Sequence, residues 1–262
     1  MSRRDAGRRE TGWASGASRE TGWASGASRE TGVHGPLRVA VVDYGAGNLV
    51  SIDQALRFLG VDVRVATDAA GLHGADAVLV PGVGAAGPAM RRLTRAGLVD
   101  PLLRWIAIGR PYLGICLGLQ LLFEGSDEDG ATTFGVLPGR TVLLRNAPTL
   151  PHIGWNQVVR RREHVLFTGI ADGSDLYFVH SYAGQPIGLT GEASILAETT
   201  HGEPFVSAVD RGNVLGVQFH PERSGGTGLR LLGNFVRWAT ALSAGAGAEL
   251  SPVGAGGTGG GD

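Results

Sequence analysis

Cys116, the single cysteine of the chain, sits in Gly114-Ile115-Cys116-Leu117-Gly118, between an apolar run and a helical pattern. A Gly-x-nucleophile-x-Gly turn from strand to helix exposes its central side chain on a sharp bend, here with cysteine in place of serine. The flanking glycines allow a strained backbone and close packing, and the helix N-terminus favours the thiolate, the form that attacks. A lone cysteine is more often a small buried hydrophobe; glycines on both sides of it favour the nucleophile. Downstream, His220-Pro221-Glu222 ends an apolar run. In extended chain, residues two apart point the same way, so Glu222 is expected beside His220, where a carboxylate fixes the ring tautomer and stabilises the imidazolium. Alone, this triplet reads equally well as a strand end with two solvated groups. Beside an elbow cysteine it completes a nucleophile, base and orienter.

Two further loops bear on this set. Pro81-Gly82-Val83-Gly84 follows an apolar run and can turn backbone N–H groups towards a developing oxyanion, although a tight βα turn explains the same residues. Gly45-Ala46-Gly47-Asn48 suggests a dinucleotide loop, but the third glycine of that pattern would fall at Val50. A tight turn into a helix capped by Asn48 is the simpler reading. The seven histidines show no metal-ligand spacing, so neither metal nor cofactor is expected. Arg160–Glu163 reads as a solvated strand-loop edge.

The elements that must hold these residues alternate in type. Leu37–Val42 reads as a buried strand, Val61, Val63 and Val65 alternate as a second, and Ala75–Val80 and Pro111–Ile115 read as a third and fourth, with helical patterns between, which implies βαβ units and a mostly parallel sheet. Ile195–Thr199, Phe205–Val209 and Val214–Phe219 are short strands joined by turn sequences, an antiparallel extension. A last amphipathic helix carries Leu229, Leu232, Phe235, Val236 and Ala239. The expected organisation is one α/β domain over 37–242. Before it, 1–36 contain the decamer ETGWASGASR twice, and a disordered extension is expected there. After it, 243–262 are Ala/Gly-rich and read as a flexible tail.

Composition removes several function classes. The 262 residues carry 23 basic and 24 acidic side chains, a balance that argues against a polybasic nucleic-acid or membrane binder. No apolar run approaches the roughly 20 residues needed to span a bilayer. One cysteine cannot form an intrachain disulfide, which points to a reducing, cytoplasmic setting.

With its elbow and its His-Pro-Glu triplet, the chain resembles the class I, triad-type glutamine amidotransferases. DYGAGNLVSI (43–52), PGVGAAGPAM (81–90), LGICLGLQLLFE (113–124), PHIGWN (151–156), YFVHSY (177–182) and GVQFHPERSG (216–225) are similar to the glutaminase subunits of imidazole glycerol phosphate synthase. That resemblance implies an amidotransferase-like α/β fold and a Cys116–His220–Glu222 triad. It also implies hydrolysis of L-glutamine to glutamate and ammonia, with the ammonia passed to a synthase (cyclase) partner in histidine biosynthesis. The backbone N–H groups of Val83 and Leu117 would hold the oxyanion. Gly84, Gln120, Ser181 and Tyr182 would hold substrate, and Trp155, Asn156, Tyr177 and Arg223 would face the partner in a heterodimer. The family usually carries lysine where this chain has Arg223; the charge is kept, the compact ammonium is not. Three other readings share much of this signal: a glutaminase subunit of another biosynthetic amidotransferase, a stand-alone cysteine hydrolase, and a non-catalytic protein on the same fold. DYGAGN and PHIGWN favour the histidine-biosynthesis subunits, and the intact triad residues argue against the non-catalytic reading.

Overall fold

The computed structural model describes residues 35–249; the decamer repeats and the chain from 250 onward lie outside the described residues. The body begins with β1 (Arg38–Val42), α1 (Leu49–Phe58), β2 (Asp62–Ala66), β3 (Ala77–Val80), α2 (Ala86–Arg95), α3 (Val99–Ala107) and β4 (Tyr112–Ile115). There follow α4 (Leu117–Gln120), β5 (Gly125–Ser126), β6 (Gly139–Leu143), β7 (His152–Arg160), β8 (Ser174–His180) and β9 (Tyr182–Pro186). The chain continues through α5 (Gly188–Ala193), β10 (Ile195–His201), β11 (Glu203–Arg211), β12 (Val214–Val217) and α6 (Gly225–Glu249).

Nine strands form the main sheet in the order β2-β1-β3-β4-β12-β11-β10-β7-β8. The first five are parallel, and β12 inserts beside β4 with Val217 opposite Ile115. From β12 onward the pairing is antiparallel. A second sheet has the order β5-β6-β9. Apolar side chains leave both faces of the parallel half, as continuous apolar strands require. On β1, Val39 and Val41 join the cluster under α1 and α6, while Ala40 and Val42 join the one under α2 and α3. The period-two alternation of the strand thus feeds two cores.

Three local expectations differ from what forms. Asn48 stands at the cap position of α1, but its side chain makes no capping hydrogen bond. The last helix runs to Glu249, past the boundary expected at 242, and the Ser243 hydroxyl donates to the carbonyl of Asp76 at 3.1 Å. Alanine sustains a helix that glycines alone would weaken. Finally, the chain does not stay extended through the His-Pro-Glu triplet: Pro221–Arg223 is a 3-10 turn with His220 as its N-cap. Proline is favoured at such a start, since its missing N–H has no partner there anyway.

Candidate active site

Three loops at the carboxyl ends of adjacent parallel strands converge, the usual place for ligand chemistry in an open α/β sheet. The first is the turn from β4 to α4. Cys116 has φ 53° and ψ −107°, and among the described residues it is the one non-glycine with positive φ. Left-handed geometry is costly for a side-chain-bearing residue and persists where surrounding structure imposes it. A Cβ on Gly118 would lie 1.8 Å from the Val80 carbonyl oxygen, and one on Gly114 would lie 2.4 Å from the Gly118 carbonyl oxygen. Both glycines are therefore required by close backbone approach.

The second loop follows β12. The parallel pairing of β12 with β4 carries the chain past the elbow to His220. Its N–H donates to the Tyr177 carbonyl at 2.8 Å. The 3-10 turn brings Glu222 back, and His220 Nδ1 lies 2.9 Å from Glu222 Oε1, with both side chains buried. Ser224 ties the turn down: its hydroxyl donates to the His220 carbonyl at 2.6 Å and accepts the Tyr177 N–H at 3.0 Å. With Nδ1 facing Glu222, the other ring nitrogen, Nε2, is left buried without a hydrogen-bond partner among the described residues. Burial alone would depress the imidazole. The Cys116 sulfur and the Glu222 carboxylate more than reverse that, and the pKa of His220 rises from 6.5 to about 10. The sulfur and the carboxylate on either side thus favour the charged form of the ring.

The third loop follows β3. The Tyr44 hydroxyl donates to the Pro81 carbonyl at 2.9 Å, and a Cβ on Gly82 would strike that hydroxyl at 2.0 Å. Gly47, at φ 120°, packs against the Pro81 ring, and Gly45 has φ 81°, so the backbone of this turn itself calls for both glycines. The Gly82 carbonyl accepts the Leu117 N–H at 3.4 Å. The Gly82–Val83 peptide is trans, so its N–H points opposite to its carbonyl and away from the elbow. In this conformation one expected oxyanion donor, Leu117, is engaged, and the other, Val83, is turned away.

The family model described as glutamine amidotransferase class-I matches residues 40–238. The chain is 48% identical over 202 residues to the imidazole glycerol phosphate synthase subunit HisH of Xanthomonas euvesicatoria, covering 76% of this chain and 96% of that relative. Its identity to the subunit of the same name from Aquifex aeolicus is 45% over 209 residues, 79% of this chain and all of the relative. The chain belongs to the class-I glutamine amidotransferases, in the HisH branch. Solved structures agree on the fold. A crystal structure of a glutamine amidotransferase superposes with a TM-score of 0.60 at 20% identity, over 78% of this chain and 98% of that one. PurLQS from Thermotoga maritima gives 0.60 at 18%, over 78% and 99%.

Around this amidotransferase elbow the other expected residues divide. Gln120 and Tyr182 meet: Gln120 Nε2 donates to the Tyr182 carbonyl at 2.8 Å. Gly84 has φ 87° and open space where a Cβ would be. Ser181 links β8 to β9, and its carbonyl accepts the Leu144 N–H at 3.1 Å. Trp155, Tyr177 and Arg223 form one stack: the Trp155 and Tyr177 rings meet edge-on at 6.0 Å, and the Arg223 guanidinium lies 4.2 Å from the Tyr177 ring centre. Trp155 is 56% exposed and shares its face of β7 with exposed Ile153. Asn156, one residue along, points to the opposite face and is not part of the stack. It donates to the Thr200 carbonyl at 2.9 Å and approaches His152 Nε2 at 3.2 Å. Sequence reading missed Gln218, Ser224 and the buried histidines His152 and His180. The Gln in GVQFHPE sits two residues before His220, a spacing that could have drawn notice to Gln218.

Proposed function

We propose that this chain is the glutaminase subunit of an imidazole glycerol phosphate synthase, hydrolysing L-glutamine to glutamate and ammonia for a cyclase subunit. The observation that carries the reading is the strained elbow cysteine beside a buried histidine–carboxylate pair. In the proposed reaction the Cys116 sulfur attacks the side-chain amide carbon of glutamine. Its proton is held on His220 Nε2, and Glu222 keeps that ring oriented and charged. As the tetrahedral intermediate collapses, His220 protonates the departing nitrogen and ammonia leaves. Water then loses a proton to His220, attacks the thioester carbon and releases glutamate and the thiol. Gln120, Gly84, Ser181 and Tyr182 are assigned to the amino-acid end of the substrate. Trp155, Tyr177 and Arg223 are assigned to the cyclase interface, since exposed aromatic and arginine side chains are common anchors. Asn156 supports that strand from behind.

The blocked oxyanion site fits a glutaminase that waits for its partner. Ammonia released into neutral water is mostly protonated and no longer nucleophilic, so hydrolysis without a bound acceptor wastes glutamine. A reactive thiol that must stay reduced suits the cytoplasm, and no helix among the described residues is long and apolar enough to cross a membrane. The test is Cys116→Ala. Glutamine-dependent synthesis by the reconstituted pair should vanish, and synthesis from ammonium salts should persist. Substantial glutamate release by the variant would exclude Cys116 as the nucleophile.

A further inference from the structure

We propose that Gln218 is a positioning residue for the nucleophile: its side-chain amide donates an N–H to the Cys116 sulfur, in an orientation imposed by a buried chain of donors and acceptors. The inference rests on Cys116 being the nucleophile. Gln218 is fully buried just beyond β12, and its backbone N–H donates to the Ser207 carbonyl at 2.9 Å. Its Nε2 lies 3.5 Å from Cys116 Sγ. The nitrogen and oxygen of an amide have nearly the same shape, so partners must decide which end faces the sulfur.

Those partners leave one arrangement. The Tyr182 carbonyl can only accept, so the end of Gln120 that faces it at 2.8 Å is the NH2 group. The same nitrogen lies 3.1 Å from the amide of Gln218. A donor there requires the oxygen of Gln218, and the NH2 of Gln218 is left facing Sγ. Flipping Gln218 would set two NH2 groups against each other and a carbonyl oxygen against the sulfur.

The anchor of the chain is fixed independently. His180 Nδ1 lies 2.9 Å from the same Tyr182 carbonyl and must carry a proton to donate to it. Burial lowers the pKa of His180 to about 3, so its ring is neutral and Nε2 is an acceptor. That nitrogen receives Nδ1–H of His152 at 3.2 Å, and His152 Nε2 receives an N–H of Asn156 at 3.2 Å. Donors thus converge on the Tyr182 carbonyl from His180 and from Gln120, and the branch through Gln120 and Gln218 ends on the sulfur. An N–H aimed at sulfur stabilises the thiolate more than the thiol, and it holds the side chain where His220 can serve it.

Iodoacetamide alkylation of the full chain reports Cys116 alone, since there is no other cysteine. Gln218→Met keeps the chain length and loses the donor. Gln218→Glu keeps an oxygen for Gln120 and turns an anionic oxygen on the sulfur. The alkylation midpoint should rise by about one pH unit in Gln218→Met, roughly a tenfold loss of thiolate below it, and further in Gln218→Glu. Rates should converge with wild type at high pH. A lower melting temperature with an unmoved midpoint would mean packing only and would overturn the proposal. In the wild type, the side-chain amide resonances of Gln218 should titrate with the alkylation midpoint of Cys116. Resonances indifferent to Cys116 ionisation would overturn it even if neither variant folds. Glutaminase activity surviving in Cys116→Ala would remove the nucleophile reading itself, an outcome separate from any shift of midpoint.

Discussion

Docking of the cyclase, with its phosphoribosyl-bearing substrate, should raise glutaminase turnover by about a hundredfold to a thousandfold, and the estimate follows from one peptide unit. An oxyanion donor contributes roughly that factor, about 3–4 kcal/mol of transition-state stabilisation. In the isolated chain the Leu117 N–H is spent on the Gly82 carbonyl, and the Val83 N–H is directed away because a trans peptide opposes its two dipoles. The Leu117 contact is long at 3.4 Å and is readily exchanged for a charged oxygen. Rotation of the Gly82–Val83 peptide is thus the larger gain: it removes the obstructing carbonyl and supplies the second N–H. The flanks suit such a rotation. The Pro81 carbonyl is pinned by Tyr44, and Gly84 already occupies a conformation open to glycine. The assay is steady-state glutamate formation at saturating glutamine, alone and with the partner. Because the missing interactions belong to the transition state, kcat should rise while KM changes little. Equal turnover in both conditions, or activation confined to KM, would refute the reasoning and favour a stand-alone hydrolase.

Gly118→Ala should destroy the elbow, because its Cβ would meet a main-chain oxygen at 1.8 Å. The expected result is a melting temperature lowered by overpacking of about 1–3 kcal/mol and no detectable glutaminase activity. Acid should destabilise the fold through the buried imidazoles. Burial lowers His180 to about 3 and His152 to about 4, so their contribution is complete above pH 6.5. It is lost as the pH falls from there through the folded values, where only the unfolded chain takes up protons readily. A His180→Asn variant should show a shallower loss of melting temperature between pH 6.5 and 4; an unchanged slope would contradict this assignment. Trp155→Ala and Arg223→Ala should each weaken cyclase binding by about 2 kcal/mol in a titration. The melting temperature should stay nearly constant, since Trp155 is more than half exposed.

The geometry of the elbow is written locally, and so it was legible. Glycines at 114 and 118 around one cysteine announce a backbone too close-packed for any side chain, and the clashes at those positions bear this out. A continuous apolar run along β1 announces a strand buried on both faces, because successive side chains point to opposite sides. The His220–Glu222 pairing was expected for the wrong local reason: a 3-10 turn, not an extended strand, returns the carboxylate to the ring. What the chain could not state in advance were relations between distant segments. The Gly82 carbonyl occupies the Leu117 N–H because β3 and β4 are neighbours and their loops meet. Gln218 faces Cys116 because β12 slots beside β4 after a long excursion of the chain. The donor sense of its amide depends on Gln120 and Tyr182, residues from other elements. Hydrogen-bond direction is a property of the whole buried chain of partners, and only tertiary packing brings those partners within reach of one another.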